Sequence, residues 1–194
     1  MSRSRDRRPI GAPIERIGLP AGLIAVSGGA LMVIGAFLSW LTTTTETGGS
    51  TSVSGFGAIS GDNSVAGGNL NDLLATGGLG TYRPGLIGLV FGLVAILSGG
   101  VVVSARPRAR RPFRIAASLL LLAGIAGAGW GVLRGVAPGT GGVFTDGSGD
   151  AGVGPWVTAS GGVLLLLVAG WLFAGRADRT IDAADRRHRG IQPS

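Results

Sequence analysis

Nine residues, Arg106 to Arg114, read RPRARRPFR and lie between two long apolar runs. A block with five arginines does not enter hydrocarbon, and positively charged loops stay on the cytoplasmic side of a membrane. The block therefore divides two membrane spans and names the side on which they are joined. Composition agrees with that class. Only 14% of the residues are charged, against roughly a quarter in soluble domains, and the mean hydropathy is +0.46.

The predicted order follows from the remaining apolar runs. Residues 1–17 form a basic cytoplasmic tail, with prolines at 9 and 13 that disfavour a long helix. Residues 19–41 carry no formal charge. A helix of that length reaches about 34 Å, enough to cross a core of about 30 Å. A cleaved signal peptide competes for this segment, with Arg7 and Arg8 as a twin-arginine pair. The length of the run and the want of an A-x-A site favour a retained span. Further spans are predicted at 86–105, 115–137 and 156–175, with the basic loop 106–114 between the second and third. The outer loops are 42–83 and 138–155, and 176–194 is a C-terminal tail. The expected fold is an all-α membrane protein: a four-transmembrane-helix bundle with a long Gly/Ser/Thr-rich first extracytoplasmic loop.

Charge tests the topology. The N-terminal tail, the loop 106–114 and the C-terminal tail hold 15 of the 17 arginines, and the outer loops and span ends keep only Arg83 and Arg134. That bias predicts both termini in the cytoplasm of a plasma (inner) membrane protein. The net charge of +7 and the pI near 11.6 then need no nucleic acid, because inner-side arginines attract anionic lipid headgroups. Arg106, Arg108, Arg110, Arg111 and Arg114 are candidate headgroup contacts. Arg134 is read as a snorkelling interfacial arginine, with a bound anionic headgroup as the sharper alternative. Trp40, Tyr82, Trp130, Trp156 and Trp171 are candidate interfacial anchors, since amphipathic rings favour the membrane boundary.

Small residues recur at four-residue spacing in the spans. Ala123, Gly127, Gly131 and Gly135 form the longest such row, and Gly88 and Gly92 begin another. Lipid is as apolar as leucine, so helices associate through close backbone approach rather than water exclusion. These rows serve either packing inside one bundle or docking to another membrane protein. Within the first outer loop, Val53, Phe56 and Ile59 lie in a β-prone stretch broken by glycines. Asn69 to Thr76 fits a two-turn helix with Asn69 or Asn71 as cap and Gly77 as stop. Leu70, Leu73 and Leu74 would give that helix an apolar face resting on the bundle.

Chemistry-bearing motifs are few. All 17 basic residues are arginine, so a Walker-type lysine and a Schiff-base lysine are excluded. There is no cysteine, hence no thiol centre and no disulfide framework. His188 is the only histidine, and no cysteine or second histidine accompanies it to make a metal site. Asp146, Ser148 and Asp150 echo the start of a calcium loop, but Ala151 and Val157 stand where such a loop needs glycine and glutamate. Gly127, Gly129 and Gly131 mimic a dinucleotide fingerprint without the strand that must precede it. No catalytic, cofactor or metal residue is expected, and the chain is not expected to be an enzyme.

The basic tail, a first span ending FLSWL, an outer loop carrying SGFGAISG and the basic loop before the third span resemble the small four-helix (tetraspan) integral membrane proteins of actinobacteria, mostly uncharacterised. The resemblance implies a cell-envelope location and an architecture rather than an activity. Tetraspan claudins share the gross topology and an aromatic-bearing first loop, and this chain lacks their paired loop cysteines. The expected role is that of a non-enzymatic accessory, structural or scaffolding component. Its expected partners are the bilayer with its anionic inner leaflet, and another membrane protein or a second copy of itself. A small transporter or channel component acting as an oligomer is the alternative.

Overall fold

A computed structural model describes residues 15–44, 48–62, 66–78, 80–104, 110–138 and 149–189, and side chains within these segments except at 15–18, 110–111 and 175–189. Four long helices dominate: α1 (Glu15–Phe37), α3 (Gly85–Ser104), α4 (Arg110–Val136) and α5 (Val153–Arg189). The windows Leu19–Phe37, Gly85–Ser104, Pro112–Val136 and Val153–Ala174 are long and apolar enough to cross a membrane. The helices exceed the predicted spans where polar residues continue the turn. Thus α4 begins inside the basic loop, and α5 runs on to Arg189.

The all-α expectation needs correction outside the bundle. Strands β1 (Ser39–Thr44), β2 (Ser50–Ser54), β3 (Ile59–Gly61) and β4 (Asp150–Ala151) form one antiparallel sheet in the order β3-β2-β1-β4. The first helix therefore stops at Phe37 rather than at residue 41. The run Ser39–Thr44 is rich in threonine and carries Trp40 and Leu41, residue types that fit a half-buried pleat. Pairing with β2 on one side and β4 on the other satisfies its backbone groups within the chain. Register places Ala151, Leu41, Val53 and Ile59 in one row across the sheet. Leu41, Val53 and Ile59 share a small core with Leu70, Leu74 and Tyr82. Short helix α2 (Leu70–Thr76) supplies two of these residues, with Asn69 as N-cap and Gly77 closing it. Leu73, expected on the same apolar face, is instead exposed.

Glycine sets the spacing of the bundle. On α1, Gly22, Gly29 and Ala36 stand seven residues apart and meet Gly99, Gly92 and Gly85 of antiparallel α3. A Cβ at Gly29 would lie 2.7 Å from the Gly92 carbonyl oxygen, and one at Gly22 would lie 2.9 Å from that of Gly99. The neighbouring face of α1 repeats the device toward α5. A Cβ at Gly28 would lie 3.0 Å from Gly161 O, and one at Gly35 3.0 Å from Gly154 O. Seven residues are close to two helical turns, so each seam stays in line over the length of both helices. Helices α4 and α5 meet where a Cβ at Gly131 would lie 2.5 Å from Pro155 O, and one at Gly124 3.0 Å from Gly162 O.

Met32 occupies the centre of this arrangement and is fully buried. Its backbone carbonyl adjoins Gly88 and its Cβ Gly92 on α3, while its flexible side chain fills the space left open by Gly127 on α4 and Gly161 on α5. Nearby, Thr158 Oγ1 is buried without a hydrogen-bond partner. It lies beside Gly35 and Gly88, whose Cα–H groups are weak donors in helix contacts.

Candidate functional site

The described residues between α1 and α3, with those just ahead of α5, fold together into a cap seated on one end of the bundle. Its principal tie is Trp40. With only 2% of its surface exposed, its indole Nε1–H donates to Gly35 O at 2.8 Å. Gly35 lies in the last turn of α1, where carbonyls have no helical partner, so the indole caps that helix. Space for the ring comes from two glycines of different segments. A Cβ at Gly55 would lie 2.7 Å from Nε1, and one at Gly154 2.6 Å from the same atom. Trp40 was expected at the lipid interface. The pleat of β1 instead turns it into the junction, where its N–H finds a free acceptor.

Asn71 holds the interior of the cap. Its Oδ1 accepts from Tyr82 N at 2.6 Å, and its Nδ2 donates to Phe56 O at 3.0 Å and to Asn69 Oδ1 at 3.1 Å. Asn69 Oδ1 also accepts from Asn71 N, closing the first turn of α2. Gly57 fits beneath them only because it has a φ of +88° and no side chain; a Cβ there would lie 2.6 Å from Asn71 Nδ2.

A second tie forms where α4 meets the residues just ahead of α3. Trp130 Nε1 donates to Pro84 O at 2.9 Å. The Arg134 guanidinium lies 5.3 Å from the Trp130 ring and 5.6 Å from the Tyr82 ring, and its Nη1 donates to Pro138 O at 2.8 Å. Such flanking by aromatic faces is attractive for a cation. Arg134, expected to snorkel into the interface, is only 6% exposed. Its guanidinium turns toward rings and a carbonyl within the chain. Tyr82, also expected as an interfacial anchor, is buried in the cap core for the same reason. That burial pushes its phenol above the ordinary value of 10, with nearby Arg134 pulling it the other way.

The other sequence-predicted residues fall as follows. Ala123, Gly127 and Gly131 are buried, Gly127 against Met32 and Gly131 against α5, and Gly135 packs on Trp156. Gly88 and Gly92 are buried against α1. The small-residue rows are therefore used within the chain. Trp156 and Trp171 are about half exposed, Trp130 is part-buried, and Arg114 is exposed. Arg106 and Arg108 lie outside the described residues, as do Asp146 and Ser148; Arg110 and Arg111 open α4, and their side chains also lie outside the description. Asp150 pairs with Thr42 through β4. Among the described residues no group of three His, Cys, Asp or Glu is placed to hold a metal ion. Sequence reading missed the role of Gly35, Gly55 and Gly154 as the seat for Trp40. Their separation in the chain hides it, although a tryptophan directly after a glycine-rich span was a signal.

No protein-family model matches the chain, and no curated protein matches it in sequence.

Proposed function

We propose that this is a multi-pass protein of the plasma (inner) membrane with both termini in the cytoplasm. In this reading it is a non-enzymatic accessory or structural component, and it meets another membrane protein, or a second copy of itself, through its outer cap. The arginine distribution supports the orientation, since 15 of 17 arginines fall on the side of the basic loop.

One observation carries the docking role. Asp150 and Ala151, far along the chain from the other strands, pair with β1, so two separate segments share one sheet. The row of Ala123, Gly127, Gly131 and Gly135 and that of Gly88 and Gly92 are already occupied by neighbouring helices, which favours the cap over those rows as the surface for recognition. Among the described residues, the amides of Asn69 and Asn71 are spent on neighbouring backbone and on each other. That use favours a structural role over a chemical one.

The test is cross-linking in intact cells, followed by mild detergent extraction and mass spectrometry. A reproducible partner linked to residues of 48–62 or 66–78 is the expected result. Links confined to the cytoplasmic segments would overturn the assignment of the cap as the docking surface. Exclusive self-links through the cap would identify the partner as a second copy.

A further inference from the structure

The turn between β2 and β3, Gly55-Phe56-Gly57, has the strongest claim to a role beyond the cap's own folding. Backbone bonds tie it to the ends of two helices: Gly55 N donates to Leu38 O at 3.2 Å, and Gly85 N donates to Gly55 O at 2.9 Å. Leu38 directly follows α1, and Gly85 is the first residue of α3. The turn is thus held level with the outer ends of two membrane-crossing windows, Leu19–Phe37 and Gly85–Ser104.

Its side chain is half-buried at that level. The Phe56 ring lies 5.0 Å, centroid to centroid, from the ring of Phe37. Phe37 is the last residue of the first window and is 60% exposed. A separation of 5.0 Å is small against a hydrocarbon core of about 30 Å, so the two rings sit at nearly one depth. Polar rims would be the expected surroundings of a hairpin tip standing in water. At this tip the half-buried Phe56 ring borders the exposed Phe37 ring, at the end of the apolar face of α1.

We infer that the β2–β3 turn enters the outer leaflet, with Phe56 beside Phe37 in contact with lipid acyl chains just below the headgroups. The cap then lies on the bilayer rather than standing clear of it, and bilayer and cap share one continuous surface. The inference rests on the membrane-spanning reading above. Its partner is lipid, recognised by an apolar ring at interfacial depth rather than by charge.

Because the chain has no cysteine, single-cysteine variants of the full-length protein in phospholipid bilayers give a direct test. Spin labels at Phe56→Cys, Ser60→Cys and Leu97→Cys report depth through their relative accessibility to oxygen and to a water-soluble nickel chelate. Ser60 is an exposed residue of β3, and Leu97, 71% exposed, lies inside the α3 window. The expected oxygen-to-nickel ratio is severalfold higher at 56 than at 60 and approaches that at 97. A high ratio at 97 with a water-like ratio at 56 overturns the inference and leaves the spanning reading intact. Water-like ratios at both positions overturn both. As a variant that keeps an aromatic ring, a benzophenone analogue of phenylalanine at position 56 should form adducts with lipid chains on illumination. Adducts to protein alone would count against the insertion.

Discussion

Gly29 and Gly92 face one another across α1 and α3 so closely that neither helix has room for a methyl group. A Cβ at Gly29 would lie 2.7 Å from Gly92 O, and a Cβ at Gly92 would lie 2.8 Å from Gly29 O. The obstruction in each direction is backbone, which cannot rotate aside. Gly92→Ala should therefore part the helices and cost about 1–3 kcal/mol, the usual range for an overpacked interior. Gly129, on α4, has nothing within 4 Å of its Cβ position. Gly129→Ala should be neutral or stabilise by up to about 1 kcal/mol through helix propensity. Denaturant titration in mixed micelles, followed by circular dichroism, compares the two. Equal effects would mean that the α1–α3 seam does not set the bundle.

Met32 concentrates contacts from all three other long helices on one side chain. Truncation removes Cγ, Sδ and Cε, which face Gly161 on α5 and Gly127 on α4, and those glycines have no side chain to fill the gap. Met32→Ala should cost about 2–5 kcal/mol, while Met32→Leu, close in volume, should cost less than about 1.5 kcal/mol. The same titration reads both. A small loss for alanine would show that the helices close around the gap.

Trp40 joins the end of α1 to the cap by a hydrogen bond of 2.8 Å and by the fit of its ring between Gly55 and Gly154. Trp40→Phe keeps most of the ring and deletes the donor, leaving a buried carbonyl at Gly35. The expected cost is about 1–3 kcal/mol, felt locally as faster proteolysis of the first outer segment. Trp40→Ala should release the cap further while the long helices persist by circular dichroism. An unchanged digestion pattern in both variants would show that the sheet and Asn71 hold the cap without it.

The bundle was legible in the sequence because its signals are local. Uncharged runs of span length, arginine on one side and Asn69 ahead of LNDLLAT each need only a short window. The sheet was legible in part. Val53 and Ile59 stood in a β-prone stretch, but β4 is two residues long and pairs with a strand more than a hundred residues earlier. No periodicity marks such a strand. The same limit explains Trp40, Tyr82 and Arg134. An aromatic or arginine at the end of an apolar run has an interfacial default, and only the tertiary fold brings Gly35 O to one indole and two rings to one guanidinium. The glycine rows showed that close packing would occur. Which helix each row would meet depended on the bundle's handedness and order.

Tyr82 gives the cap a pH limit. Burial raises its phenol above 10, and the attraction of Arg134 offsets only part of that effect. A phenol raised on folding favours the neutral form in the folded state. Its contribution to stability is therefore fully present below the unfolded value near 10 and is lost as pH rises through the higher folded value. Above that range the phenolate must be held in the apolar cluster of Leu41, Val53, Ile59, Leu70 and Leu74, or the cap must open. The expected observation is a tyrosinate absorbance step displaced above pH 10, accompanied by faster cleavage of the first outer segment by an alkali-tolerant protease. The chain has one tyrosine, so the step needs no deconvolution, and Tyr82→Phe should abolish it while keeping the ring over Arg134. If the absorbance step stays near 10 and the cleavage rate does not change across it, Tyr82 is in water and the cap core is open at that corner.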